Sequence, residues 1–483
     1  MVTERKSGVL MHVSSLNGKY GCGGFGKEAR NFVDLLSRAG FRYWQILPIS
    51  MTDEHNSPYR SPASLCLNPY FLDLESLFDK GYISNGELLA EMQNSPYLCE
   101  FDRLKESRLS LLAKAAQRAQ RDNEIHGEIT AFFDTHPEIE ESVRAVAIRE
   151  ANGGLPWQEW QSDECDEDTL FKWKFIEHEL YCEWFALKEY ANSKGIKIIG
   201  DLPIYVAPDS VDVYMSPADF LLDESGYPTE VAGVPPDYFS SDGQLWGNPL
   251  YNFKKMRRDG YAFWRKRLSH AFSLFDGVRI DHFRAIEAYW SIPKDSESAR
   301  CGRWVKGPGK ELIRVIREVA GDKSVIAEDL GDITDSVRAL LDYSGFPGMR
   351  VLQFAFLGDD NSHHLPHNYD KNSVVYTGTH DNNTLLGYVW ELDAATRERV
   401  FDYFGYHGSD FDEACRVIIK SLLSSPADTV ILPIQDILGF GADTRMNTPG
   451  RAEGNWAYRV TGEQLASVNK EKFKHLNRIY GRI

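Results

Sequence analysis

Eight short runs rich in Val, Ile and Leu, with helical periodicity between many of them, predict an α/β protein of the (β/α)8 TIM barrel class. Each run has the length of a buried parallel strand and stops at a polar or Gly/Pro turn. The runs span residues 8–13, 41–48, 196–202, 277–281, 324–328, 349–355, 374–377 and 429–433. A barrel with insertions can hold all 483 residues, so 1–483 reads as a single elaborated domain.

The first run follows a polar start at residues 1–7, and the second lies at 41–48. The largest gap, residues 50–195, separates the second and third runs and predicts an inserted, mainly helical subdomain. Leu and Ala recur at helical spacing over 101–121, and 168–193 carries Phe171, Phe175, Trp184 and Leu187 on a helical stripe leading into the third strand. Trp173 and Trp184 on that stripe are assigned to packing. A second interruption, 205–258, follows the third strand; its 231–252 stretch combines Pro, Gly and aromatics with little periodicity, as a long functional loop beside the barrel mouth does. The remaining runs follow without an internal repeat or a linker-like segment.

Composition narrows the partners. With 42% hydrophobic and 26% charged residues the chain has ample material for a large core. The 54 Lys and Arg against 71 Asp and Glu give a net charge of −17, which repels polyanions and argues against nucleic acid. Seven scattered cysteines without a C-x-x-C suggest neither a disulfide framework nor a zinc site, and fit reduced thiols. No basic-then-apolar leader and no apolar stretch of spanning length occur, so the expectation is a cytoplasmic protein with no membrane partner. Nothing in the residues sets an oligomeric state.

Barrels of this class build their sites at the carboxyl ends of the strands. Four runs close on acids: Ile198-Ile199-Gly200-Asp201, Val278-Arg279-Ile280-Asp281-His282, Val325-Ile326-Ala327-Glu328-Asp329 and Tyr376-Thr377-Gly378-Thr379-His380-Asp381. They belong to the third, fourth, fifth and seventh predicted strands. Cleaving a glycosidic bond with retention needs one carboxylate to attack the anomeric carbon and a second acid to protonate the leaving oxygen, ~5–5.5 Å apart. Neighbouring strands four and five can supply Asp281 and Glu328 for those parts. Arg279, two positions before Asp281 and on the same strand face, would keep it ionised. Crowding by Asp281 and Asp381 would keep Glu328 protonated. Asp381, with His380 beside it, suits the support of sugar hydroxyls and of a positively charged transition state. Two other readings stand beside this one. An acid after a strand also caps helices or pairs with arginine, and the same oxygens suit Mg²⁺ or Mn²⁺, although the Arg279 charge would take the metal's place.

A wider set of motifs carries a resemblance. Gly200-Asp201-Leu202-Pro203-Ile204-Tyr205-Val206, Arg279-Ile280-Asp281-His282-Phe283-Arg284, Ala327-Glu328-Asp329-Leu330-Gly331, Thr379-His380-Asp381-Asn382, and Arg445-Met446-Asn447-Thr448-Pro449-Gly450 with Gly454-Asn455-Trp456 after it resemble the amylomaltases. These are bacterial and plant-type 4-α-glucanotransferases of the α-amylase clan. The match runs through nearly the whole chain. The resemblance implies a barrel with inserted subdomains, no separate C-terminal β domain, and no metal or organic cofactor. It implies that an α-1,4 bond is cut and the glucosyl segment passed to another sugar's 4-hydroxyl, so the expected partners are malto-oligosaccharides, glucose and α-1,4-glucans. By motif, Asp281 looks like the nucleophile, Glu328 the acid/base and Asp381 the transition-state stabiliser. Arg279 and His380 look like supporting groups, and His282 and Asp201 like further positions around them.

A transferase must keep water from its intermediate while an acceptor docks, which directs attention to the loops. Residues 235–249 offer aromatic faces (Tyr238, Phe239, Trp246), hydrogen-bonding side chains and hinge glycines, and look like the mobile lid of the resembled family. Tyr59, in the loop after the second strand, is a second candidate stacking wall. Asn455 and Trp456 either line the cleft after the eighth strand or stitch the C-terminal segment to the barrel. Two rivals to transfer remain at this point: an α-glucan hydrolase using the same acids with water, and a non-catalytic glucan-binding barrel.

Overall fold

The computed structural model describes residues 4–236, 241–358 and 360–483. Twelve strands occur among them: β1 (Lys6–Leu10), β2 (Tyr43–Gln45), β3 (Lys197–Leu202), β4 (Glu230–Val234), β5 (Gln244–Pro249), β6 (Gly277–Ile280), β7 (Ala288–Pro293), β8 (Arg303–Lys306), β9 (Ser324–Ala327), β10 (Gly348–Val351), β11 (Ser373–Tyr376) and β12 (Thr429–Pro433). Eight of them close a barrel in the order β1-β12-β11-β10-β9-β6-β3-β2, every pair parallel. This is a (β/α)8 TIM barrel, and each of the eight apolar runs supplies one of its strands.

The barrel strands read as apolar runs because helices cover their outer faces and side chains fill the interior, so both faces are buried. Val9, Trp44, Val278, Val375 and Ile431 are each 0% exposed. The strands are shorter than their runs at several ends. Residues 352–354 continue the apolar run of β10 as a 3-10 turn, and residues 13–15 do the same after β1. Close layer packing also explains Gly200: a Cβ there would lie 2.1 Å from the Phe275 ring.

Between β2 and β3 the chain forms the helices Leu74–Asp79, Asn85–Ala90, Phe101–Ala119, Asn123–Thr135, Pro137–Ala151 and Glu167–Ser193. The last begins at Asp166, whose side chain accepts from the Thr169 N–H. It buries Trp173 and Trp184, with Phe25 and Phe275 packed against Trp184. Between β10 and β11 the described residues form 3-10 turns and no α-helix.

The remaining strands form a sheet absent from the sequence reading, in the order β5-β4-β7-β8. The 205–258 interruption therefore contributes two strands where its periodicity indicated a loop. Of the two, β4 pairs with β7 of the hairpin that follows β6, through Val231↔Ile292 and Ala232↔Ser291. Val231, Ile292 and Ala299 make a small apolar core of their own under this sheet.

Candidate active site

Register places the first group of side chains. Asp201 on β3 lies opposite Arg279 on β6, and Ile280 lies opposite Ala327 on β9, so Asp281 and Glu328 follow paired residues on adjacent strands. The Arg279 Nη1 reaches both Asp201 oxygens at 2.8 and 2.7 Å and the Asp281 Oδ1 at 3.0 Å. Asp201 is sealed from solvent, whereas the Asp281 side chain stays 28% exposed toward the mouth. Burial works against the Arg279 charge, but the two carboxylates outweigh it and hold the guanidinium protonated. The Tyr59 hydroxyl donates to Asp201 Oδ2 at 2.8 Å. Burial and the Asp201 charge push that phenol well above its ordinary value, so it remains a donor.

Glu328 sits in a contrasting environment. Its Oε2 accepts from the His282 N–H at 2.6 Å and its Oε1 from the Leu330 N–H at 3.0 Å. Burial pushes the carboxyl up and the Asp281 charge adds to the effect, against Arg279 and the two N–H groups, leaving it at about 8. His282 takes a left-handed backbone conformation at φ 48°, a costly one for a residue with a Cβ. That turn aims its N–H at Glu328. Burial lowers the His282 imidazole to about 4, so it is neutral, and its buried Nε2 has no hydrogen-bond partner among the described residues.

Asp381 completes the ring of acids. The Asn447 side chain donates to its Oδ1 at 2.6 Å, and the His380 Nε2 lies 3.3 Å from its Oδ2. Burial would raise this carboxyl, but His380, Asn447 and Arg279 outweigh it and bring it to about 2. The Arg445 guanidinium bonds the Asp381 backbone carbonyl at 2.5 Å, fixing the loop that carries it. Tyr59 stacks on His380 with ring centroids 5.0 Å apart and an interplanar angle of 15°. The site thus holds a half-buried carboxylate beside a fixed guanidinium, a neighbouring protonated acid and a third, ionised acid. Among the described residues no three His, Cys, Asp or Glu side chains converge as metal ligands.

The predicted residues divide three ways. Asp201, Arg279, Asp281, His282, Glu328, His380, Asp381 and Tyr59 come together through the contacts above. Trp246 joins them from β5, with its ring edge-on to His282 at 4.9 Å. Asn455 does not join: its Oδ1 accepts from the Thr448 N–H and its Nδ2 donates to the Arg451 carbonyl, so the amide ties its own loop together. Tyr238 and Phe239 lie outside the described residues. Sequence reasoning gave no role to Asn447 or Arg445, although both stand in a quoted motif, because neither lies at a strand end. Trp456, expected with Asn455 to line the cleft or to stitch the C-terminal segment, is 6% exposed and packs with its ring centroid 5.8 Å from Tyr59 and 6.0 Å from His380.

Comparison with known proteins identifies the family. A profile described as 4-alpha-glucanotransferase matches residues 11–465. A 4-alpha-glucanotransferase of Streptococcus pneumoniae is 40% identical, covering 99% of this chain and 98% of its own length. One of Thermus thermophilus is 42% identical over 96% of this chain and 97% of its own. A solved amylomaltase from Streptococcus agalactiae, in complex with acarbose, superposes with a TM-score of 0.95 at 35% identity, covering 99% of this chain and 100% of that one. The chain belongs to the 4-alpha-glucanotransferase family and carries that family's enzymatic activity.

Proposed function

We propose that the transfer proceeds by double displacement through a covalent glycosyl-Asp281 intermediate, with malto-oligosaccharides and α-1,4-glucans as donors and glucose or a glucan as acceptor. Asp281 attacks the anomeric carbon while Glu328 delivers its proton to the glycosidic oxygen, and the reducing-end fragment leaves. Glu328, now a carboxylate, takes the proton of the acceptor's 4-hydroxyl. That oxygen attacks the same carbon, releases Asp281 and restores the α configuration. Asp381 holds sugar hydroxyls and faces the developing positive charge. Arg279 pairs with Asp281 at 3.0 Å and orients its carboxylate, and Tyr59 with His380 forms a wall of the cleft. Trp246, on the strand that closes the 235–249 segment, guards the acceptor side against water.

The observation that carries this reading is the contrast between two acids on paired strands, Asp281 against Arg279 and Glu328 held at about 8. A cytoplasmic setting is part of the proposal, supported by the free state of the seven cysteines. No helix among the described residues is long and apolar enough to cross a membrane. Incubation with maltotriose tests the reaction: glucose plus a ladder of longer oligosaccharides is expected. Only shorter products with rising reducing ends would replace transfer by hydrolysis.

A further inference from the structure

Cys22 and Cys99, seventy-seven residues apart, bring their Sγ atoms to 3.9 Å. Cys22 follows the turn after β1, and Cys99 stands just before the helix Phe101–Ala119. Both are buried, at 7% and 6% exposure. The Cys99 Sγ also lies 3.1 Å from the Ser14 carbonyl oxygen. Backbone bonds hold the two segments in place: the Gly23 N–H donates to Ser14, the Cys99 N–H to Ala457 and the Glu100 N–H to Gly21. Forming a disulfide, ~2.05 Å between sulfurs, requires an approach of about 2 Å, within reach of side-chain rotation and small backbone shifts.

We infer that Cys22 and Cys99 are a peroxide-responsive dithiol, a modification site in which Cys22 is the attacking sulfur and Cys99 resolves it to a disulfide. The surroundings distinguish the two. Burial disfavours a Cys22 thiolate, yet the Cys99 thiol beside it and the charges of Arg459 and Arg108 reverse the effect and bring that thiol below its ordinary value. Arg459 is 1% exposed and its Nη2 has no hydrogen-bond partner among the described residues, leaving a spare buried donor in this corner. Arg108 anchors the other side through Glu91 and the carbonyls of Tyr70 and Tyr20. Cys99 is pushed well above the ordinary value, chiefly by burial, and stays a thiol.

The chemistry balances with hydrogen peroxide as the oxidant. The Cys22 sulfur attacks one peroxide oxygen; an S–O bond forms, the O–O bond breaks, and hydroxide leaves with the Cys22 proton as water. The Cys99 sulfur then attacks the sulfenic sulfur. An S–S bond forms, the S–O bond breaks, and the departing hydroxide takes the Cys99 proton as a second water. Two thiols and one peroxide give one disulfide and two waters. The small size of the oxidant suits a buried pair, which bulkier disulfide reagents reach only slowly.

The full chain, treated with graded hydrogen peroxide, alkylated under denaturing conditions and digested, tests the assignment. A Cys22–Cys99 linked peptide pair, lighter by two hydrogens and restored by dithiothreitol, is expected at peroxide levels that leave the buried Cys66 alkylatable. In the Cys99→Ser variant a dimedone adduct on Cys22 is expected in place of the link. Two results would overturn the assignment. One is that both thiols remain alkylatable at peroxide levels that oxidise the exposed Cys182 and Cys301. The other is that the link pairs different cysteines.

Discussion

The backbone N–H of His282 donates to the Glu328 side chain at 2.6 Å, so the strand end that presents Asp281 also grips the second acid. One turn at φ 48° thereby sets both reactive groups at once. A shift of β6 relative to β9 would break this bond and change the separation of the attacking and protonating groups.

Removing either acid separates their parts. Asp281→Asn is expected to lower kcat on maltotriose by at least about 10³-fold, with little change in the melting temperature. Glu328→Gln should fall similarly, yet an activated glycosyl fluoride, which needs no proton for departure, should still load Asp281. A glycosyl mass on the Asp281 peptide of Glu328→Gln is the measurement. Its absence, with the adduct on another residue, would reject Asp281 as the nucleophile.

The pH dependence follows from Glu328, raised from an ordinary 4.5 to about 8. The acid is protonated below about 8, so kcat/KM should fall as the pH rises through that value, and the limb should vanish from the residual activity of Glu328→Gln. Stability carries the same sign. The native state binds this proton more tightly than the unfolded chain, so the contribution is full below about 4.5 and declines as the pH rises toward 8. Urea unfolding at pH 5 and pH 8 should show a smaller loss between the two for Glu328→Gln than for the unaltered protein.

Arg279→Ala leaves Asp201 sealed in the barrel with Tyr59 as its remaining hydrogen-bond partner. A cost of about 3–5 kcal/mol in urea unfolding is expected, together with lost activity. Combining it with Asp201→Asn should recover part of the stability without the activity, since the charge left unpaired is then gone.

Asn447→Ala removes the 2.6 Å hydrogen bond to Asp381 and leaves Arg445 to hold the backbone. Hydrogen bonds to charged groups contribute about 1.5–3 kcal/mol, so kcat/KM should fall roughly 10- to 100-fold. An unaltered melting temperature would separate this from unfolding.

The barrel was legible because parallel strands buried on both faces read as continuous apolar runs, and the acids stood out because they end those runs. What was not legible depends on distant partners. Gly233 and Gly247 interrupt β4 and β5, and β8 is mostly exposed, so neither alternation nor a run marks this sheet. Its pairing joins residues 230–234 to 288–293, a contact no local period reports. Asn447 reaches Asp381 across sixty-six positions, again beyond any local pattern. Asn455 shows the opposite case: its amide bonds the Thr448 N–H and the Arg451 carbonyl of its own loop, a short-range pairing.

The β5-β4-β7-β8 sheet has a practical consequence. Arg284, three residues after Asp281, places its guanidinium 3.3 Å from the ring centroid of Trp304 on β8, and Trp290 on β7 packs against the same indole. Loops from two successive barrel strands are thus woven into one module that touches the catalytic turn. Anyone exchanging such segments between relatives to alter product length would need to graft residues 230–249 and 288–306 as a unit, because either half transplanted alone would arrive without its pairing edge.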